Sequence, residues 1–386
     1  EWGILWKGRF PVAPILFLLP LAFTLAFGII YYQNSVERIP LIICDEEQSP
    51  VSRTVIQAYS DSEKFSITGE VYHAEDMTDA LQSGSAIAAL YIPADLSKKI
   101  KTGDPIDLLI LVDSANNMFG NAAMTAANEI NKTLAVGIAS QLLEAGNQLP
   151  QAAMSMAYPV RMGIRIINNP TTGYSPFMLA GLTMNGLQIA IMLVICPLVA
   201  REFHHRVYRK QVPSWKIIAA KILPVWGLSV LSFFVSLIFL HTCFAIPVRG
   251  NFFDLGLIMA VFTLTVSCIM TLFAVCSPDE VMSIQEPLLY IMPGLLYSGL
   301  SWPDFYMNQL AEVIAFIFPM RHGADVVRDL LLSGYAPALY SQCLQMLLMG
   351  GLCLLLAWGV FIVRRRYGTV NLIHHVFRRE KGETTL

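Results

Sequence analysis

Six apolar stretches, with a long mixed interval between the first and the second, constrain this chain more than any other feature. A helix needs about 20 consecutive apolar residues to cross a bilayer core. The stretches that meet or approach this length are Pro11–Tyr32, Phe177–Ala200, Ile217–Phe244, Leu255–Cys276, Val281–Leu300 and Leu339–Val363. Hydrophobic residues make up 55% of the chain and charged residues only 14%, whereas soluble domains carry about 25% charged residues. The expected fold class is a polytopic α-helical membrane protein with six transmembrane helices and an inserted extracytoplasmic α/β domain. The fifth stretch is the weakest, because Gln285, Glu286, Pro287 and Pro293 interrupt it and proline breaks or kinks a helix interior. The first, at about 22 residues and with no small-residue cleavage site behind it, reads as a span rather than a signal peptide.

Charge sets the expected sidedness. Basic residues collect at Lys7 and Arg9, in the loop of Arg201, Arg206, Arg209, Lys210 and Lys216, and after the last stretch at Arg364, Arg365, Arg366, Arg378, Arg379 and Lys381. Short basic loops stay in the cytoplasm. With six spans all three regions fall on that side, and the insert falls outside. The loop 277–286 lies with them although it is acidic, since acidic residues weigh little in this rule. The insert, Asn34–Pro170, carries a net charge of −7 and the remainder +5. An acidic insert argues against nucleic acid as a partner.

The insert alternates strand and helix signals, which predicts a mixed sheet with helices packed on it. Strands are expected at 39–44, 65–72, 86–92, 106–112 and 158–167. Ser49-Pro50 is an N-cap followed by proline at the first helical position, and opens a helix to about residue 60. Further helices are expected at 76–82, 94–101 and 117–149. At 1.5 Å per residue the last could reach about 45 Å, as a stalk or lying across the sheet. Asp45, Glu46 and Glu47 form an acidic turn that could hold a cation or simply face water. The seven cysteines include no CxxC pair, so neither a disulfide framework nor a zinc site is expected. Asn131-Lys132-Thr133 matches a glycosylation sequon but falls inside a helix. No catalytic constellation, cofactor site or metal site stands out.

Between the last two apolar stretches, Trp302-Pro303-Asp304 and Phe318-Pro319-Met320 punctuate two short helices. This segment, 301–338, reads either as a re-entrant hairpin in the outer leaflet or as an amphipathic surface hairpin. Irregular backbone at membrane depth is tolerated only under a cover of protein or around a wet cavity.

Three passages in order resemble the permease subunits of ABC-2 type exporters, in the subgroup with a large extracytoplasmic domain after the first span. The first is IPLIICDEEQSPVSRTVIQAYSDSEKF, where Asp45, Glu47, Ser49, Ser52 and Arg53 match the family's D-x-(D/E)-x-S-x-x-S-R opening. The second is AIAALYIPADLSKKI. The third runs from Ser298 to Gly334, with S-G, W-P, F-P and R-x-L-L-L-x-G in order. The resemblance covers nearly the whole chain. The departure is in the first cytoplasmic loop, where Arg201-Glu202 and the turn at Pro213 are kept but the E-x-G-T element is absent.

The resemblance implies three regions. Residues 1–33 would be an N-terminal interfacial helix and first transmembrane helix, and 34–170 the extracytoplasmic α/β domain. Residues 171–386 would be a five-helix block with a cytoplasmic coupling loop (201–216), an outer re-entrant hairpin (301–338) and a basic cytoplasmic tail (364–386). It implies no cofactor in this chain, since no G-x-x-x-x-G-K-[ST] occurs, and so no enzyme activity of its own. ATP and Mg would be handled by two partner ABC ATPase subunits. A second permease copy or a homologous permease, membrane lipid and a periplasmic or extracellular adaptor are the other partners in view. The loop contacts implied are Arg201, Glu202, Arg206, Tyr208, Arg209 and Trp215. Few ionisable residues fall inside the stretches, which favours an amphipathic, lipid-like or drug substrate over an ion relay. Tyr174, Phe177, Met178, Met184, Asn185 and Gln188, with Tyr290, Met292 and Tyr297, are the pathway-lining candidates. The rival reading is a non-transporting receptor or sensor whose outer domain binds a partner.

Overall fold

Helix length separates the apolar stretches. The computed structural model describes residues 13–32, 36–102, 104, 107–114, 117–145, 169, 173–204, 212–302 and 307–367. Two compact units form: Ser35–Arg165, and Glu1–Asn34 with Ile166–Leu386. The first unit contains β1 (Ile39–Asp45), α2 (Pro50–Ser60), β2 (Phe65–Val71), α3 (Ala74–Gln82), β3 (Ala88–Ile92), α4 (Leu96–Thr102), β4 (Leu109–Val112) and α5 (Asn117–Ala145). The second contains α1 (Ile15–Ile30), α6 (Tyr174–His204), α7 (Ser214–Phe244), α8 (Phe252–Cys276), α9 (Met282–Leu296), α10 (Gln309–Ala315), α11 (Pro319–Leu332) and α12 (Leu339–Tyr367).

Among the described residues only α6, α7, α8 and α12 are long and apolar enough to cross a membrane. This corrects the expectation of six. The described part of the first stretch is the 16-residue α1, and the fifth is the 15-residue α9 containing Pro287 and Pro293. At 1.5 Å per residue these reach about 24 and 22 Å, against a hydrocarbon core of about 30 Å. Beyond α9 the chain turns at Gly299, whose φ of +81° suits a residue without Cβ. The length of an apolar run in sequence was therefore a poor measure of its helix.

The helical unit packs around α6. α1 runs antiparallel to it: the Ser175 hydroxyl donates to the Tyr31 carbonyl at 2.6 Å, and Thr24 and Thr183 share a 2.8 Å hydroxyl bond further along. α8 and α12 run parallel, because Arg364 near the end of α12 donates to the carbonyls of Val275 and Ser277 at the end of α8. Between them, 277–338 carries the chain back to the opposite end through short helices and turns. α11 belongs to the apolar core of this unit, with Met320, Ala324, Val327 and Leu330 buried.

In the other unit the sheet order is β2-β1-β3-β4, with β1 parallel to β2 and β3 and β4 antiparallel to β3. Ile39, Leu41 and Ile43 point to one core, with Ala88, Leu90 and Ile92 beside them. α5 covers that face through Ala123, Ala126 and Ala127, and Tyr59 donates to Asn131 at 2.9 Å. The long helix thus lies across the sheet over its first half. Burial pushes the Tyr59 phenol up to about 12, while its bond to Asn131 pulls the other way. The strand expected at 158–167 lies outside the described residues, as do the N-terminal segment 2–10 and the tail beyond 367.

Candidate functional site

The end of the helical unit where α6 and α8 finish and α7 begins gathers most of its described charged side chains. Lys221 on α7 reaches back to Glu202 on α6 at 2.8 Å and donates to the Leu198 carbonyl at 2.9 Å. Its side chain is 3% exposed and that of Glu202 14%. Such a pair holds only when its geometry is good and its remaining protons are satisfied; the Leu198 carbonyl supplies that second acceptor. The neighbouring Arg201, about 100° round the same helix, faces outward at 60% exposure and bonds Glu280 at 2.9 Å.

Arg364 completes the girdle. Besides binding the last carbonyls of α8, its guanidinium lies 4.5 Å from the centroid of the Phe203 ring. Phe203 in turn meets Phe361 edge-on at 5.0 Å. A cation on a helix C-terminus satisfies orphan carbonyls and the negative end of the dipole together. Arg365 donates to the Val212 carbonyl at 2.7 Å and to the Ser214 hydroxyl at 3.1 Å, which ties α12 to the start of α7. Ser277 bonds Glu286 on α9. Both margins of the loop 205–211 are therefore anchored, one through Glu202–Lys221 and the other through Arg365. A push on the loop would be shared by α6, α7, α8 and α12.

Of the loop residues singled out in sequence, Arg201 and Trp215 are exposed, Glu202 turns inward, and Arg206, Tyr208 and Arg209 lie outside the described residues. Sequence reasoning did not give Lys221, Phe203, Glu280 or Arg364 these roles. The available signal was a lysine inside an apolar stretch, which needs a partner.

The lining candidates separate into groups. Tyr174 stacks on Tyr31 at 6.2 Å, and Phe177 lies beneath the Arg328 guanidinium at 4.9 Å. Met178 is half-buried against the core, and Met184 is fully buried in it. Asn185 and Gln188 are buried one turn apart on α6, and the side-chain oxygen of each lacks a hydrogen-bond partner among the described residues. On α9, Tyr290 and Tyr297 both pack on Phe318, at 5.1 and 5.6 Å, and Tyr290 donates to the Ile317 carbonyl. Met292 is exposed. The structure thus brings the two α9 tyrosines together at the hairpin, and the two α6 amides together inside the bundle. In the hairpin, the two ring nitrogens of His322 lie 2.6 Å from the Gln342 amide oxygen and 2.9 Å from the Phe316 carbonyl.

The acidic turn of the other unit is a closed hydrogen-bond network. Asp45 accepts from the backbone of Glu47 and Gln48 and from the Ser52 hydroxyl. Glu47 accepts from the Ser49 hydroxyl and the Ser97 amide. Ser49 and Ser52 form a reciprocal cap at the start of α2. The D-x-E-x-S-x-x-S pattern joins β1, α2 and α4. Among the described residues no group of three or more His, Cys, Asp or Glu side chains is placed to hold a metal.

Four helices long and apolar enough to span, with a separate α/β unit, define a multi-pass membrane protein among the described residues. The model of the ABC-2 family transporter protein matches residues 14–358, and the chain belongs to that family, whose members are the membrane permease components of transporters. The chain is 23% identical over 327 residues to the probable multidrug ABC transporter permease YbhR of Escherichia coli K12, covering 83% of each chain. It is 21% identical over 330 residues to the inner membrane transport permease YhhJ of the same strain, covering 82% of this chain and 83% of that one.

Proposed function

We propose that this chain is the permease subunit of an ATP-driven exporter, acting as a dimer on two separate ATPase subunits that bind ATP and Mg. The girdle is the observation that carries the reading. A loop anchored at both margins can pass an ATPase movement to four helices at once, whereas a loose loop would absorb it. Arg201 and Trp215, exposed at the loop margins, are the described residues offered to the ATPase; Arg206, Tyr208 and Arg209, between them in sequence, are the further contacts of this reading. The basic end then faces the cytoplasm of a bacterial inner membrane and the α/β unit faces outward. The hairpin of α10 and α11 enters the outer leaflet, covered by α6 and α8. An amphipathic, lipid-like or drug substrate would pass beside α6 and α9, where Asn185, Gln188, Tyr290 and Tyr297 offer polar atoms within apolar walls; one relative is described as a probable multidrug permease.

The test is co-purification of this chain with ABC ATPase subunits from its own cell. Hydrolysis should rise on assembly, and reversing the charges of Arg201, Arg206 and Arg209 should lower transport at least tenfold while the complex still hydrolyses ATP. Failure of any ATPase to associate, or unchanged transport in the reversed variant, would refute the reading.

A further inference from the structure

An apolar groove of the helical unit lies on α7, α8 and α12. It encloses about 460 Å³ and runs from Trp215 in the first turn of α7 past Ile222 and Leu223, with Cys268 of α8 in the wall and Leu355 and Trp358 of α12 opposite. The wall is aliphatic and indole, with a single thiol, and offers nothing to a water-soluble ligand. It is cut into three helices that are each long enough to cross a bilayer, so its opening faces acyl chains.

One end of this groove is cationic. The Lys216 ammonium lies 5.5 Å from the centroid of the Trp215 ring, at the groove's rim. Arg365 is fastened to Val212 and Ser214 directly above, and Arg366 beside it is exposed. Trp358 sits seven residues before Arg365, about 10 Å deeper along α12. Indoles at the headgroup level with cations just beyond them form the border between hydrocarbon and water. Lys216 and Arg366 make no ion pair among the described residues, and a headgroup of net negative charge supplies the counter-charge that a zwitterionic one does not.

We propose that this groove is a binding site for one anionic glycerophospholipid. One acyl chain lies along Ile222 and Leu355, and the phosphate is held by Lys216 and Arg366. The site depends on α7, α8 and α12 crossing a bilayer and not on the transport reading, so the two can fail separately. An occupied groove would wedge α7 against α12 beside the girdle, which makes the local lipid a structural component of that end.

The tryptophans report on the site. The full chain, reconstituted in phosphatidylcholine vesicles, is titrated with phosphatidylglycerol or phosphatidylcholine brominated on the acyl chain, and tryptophan quenching is read. Phosphatidylglycerol should reach half-maximal quenching at about one thirtieth of the mole fraction that phosphatidylcholine requires, as expected from two surface cations on an anionic headgroup. Lys216→Glu with Arg366→Glu should bring the two lipids to parity. Ala219→Phe, filling the groove, should abolish the saturable phase for both; if that variant loses its melting transition, Ala219→Leu takes its place. Trp215→Phe with Trp358→Phe should remove the selective phase while the other four tryptophans retain the unselective one. Equal quenching by both lipids in the unmodified chain, or a preference that survives the charge reversal or the filled groove, would overturn the inference.

Discussion

Arg201 and Glu202 show how much one residue of helical rotation decides. Adjacent in sequence, they face water and protein respectively, and their partners differ accordingly. Lys221→Met should leave the Glu202 carboxylate buried without its cation and destabilise the helical unit by about 3–5 kcal/mol, seen as a fall in melting temperature of the detergent-solubilised chain. Adding Glu202→Leu to Lys221→Met should restore most of that loss, because an apolar pair of similar volume avoids both desolvation costs. Arg201→Gln should cost under ~1 kcal/mol, since its pair with Glu280 is exposed and screened. A double mutant no more stable than Lys221→Met alone would show that the ion pair does not account for the loss. None of this pairing was legible beforehand. The sequence places Lys221 inside an apolar run and Glu202 in a polar loop, and only the antiparallel packing of α6 on α7 joins them.

Local chemistry made the smaller elements readable. Serine and proline at 49–50, the apolar run of β1, the alternation in β2 and the prolines around the hairpin are short-range signals, and described elements begin or end near them. The spans were less readable, because hydropathy measures apolar composition, whereas α9 stops at Leu296, just before the turn at Gly299. At the cap of α2, Ser49→Ala should remove the acceptor for the amides of Val51 and Ser52 and cost ~1 kcal/mol. Hydrogen exchange of those two amides should quicken about fivefold, and unchanged protection would count against the cap. In the hairpin, a Cβ on Gly323 would stand 3.0 Å from the Met184 methyl and 3.1 Å from Phe262. Gly323→Val should therefore push α11 off α6 and α8 and destabilise the unit by ~1–3 kcal/mol. Gly351→Val on α12, where a Cβ meets nothing within 4 Å, should cost under ~1 kcal/mol. Equal melting temperatures for the two variants would mean that α11 does not pack as described.

At the scale of the whole molecule, two charge distributions oppose each other. The interval Asn34–Pro170 carries −7, while the rest of the chain carries +5 and places Arg364, Arg365 and Lys216 at the end shared by α6, α7, α8 and α12. Retention of short basic segments in the cytoplasm is the ground for the sidedness proposed above, with that end inside and the acidic unit outside. The division into two units follows from sequence because an interval so poor in long apolar runs cannot stay in hydrocarbon, and α5, the longest helix there, is rich in Asn, Gln and Ala rather than Leu and Ile. Sidedness can be read by cysteine labelling in a background where the exposed Cys243 and Cys276 are serine. Glu63→Cys, exposed in the α/β unit, should react with a membrane-impermeant maleimide on intact cells. Lys216→Cys, exposed at the basic end, should react only after the cells are opened. If both react on intact cells, the girdle faces away from any cytoplasmic ATPase, and both the coupling role of the loop and the direction assigned to export fall together.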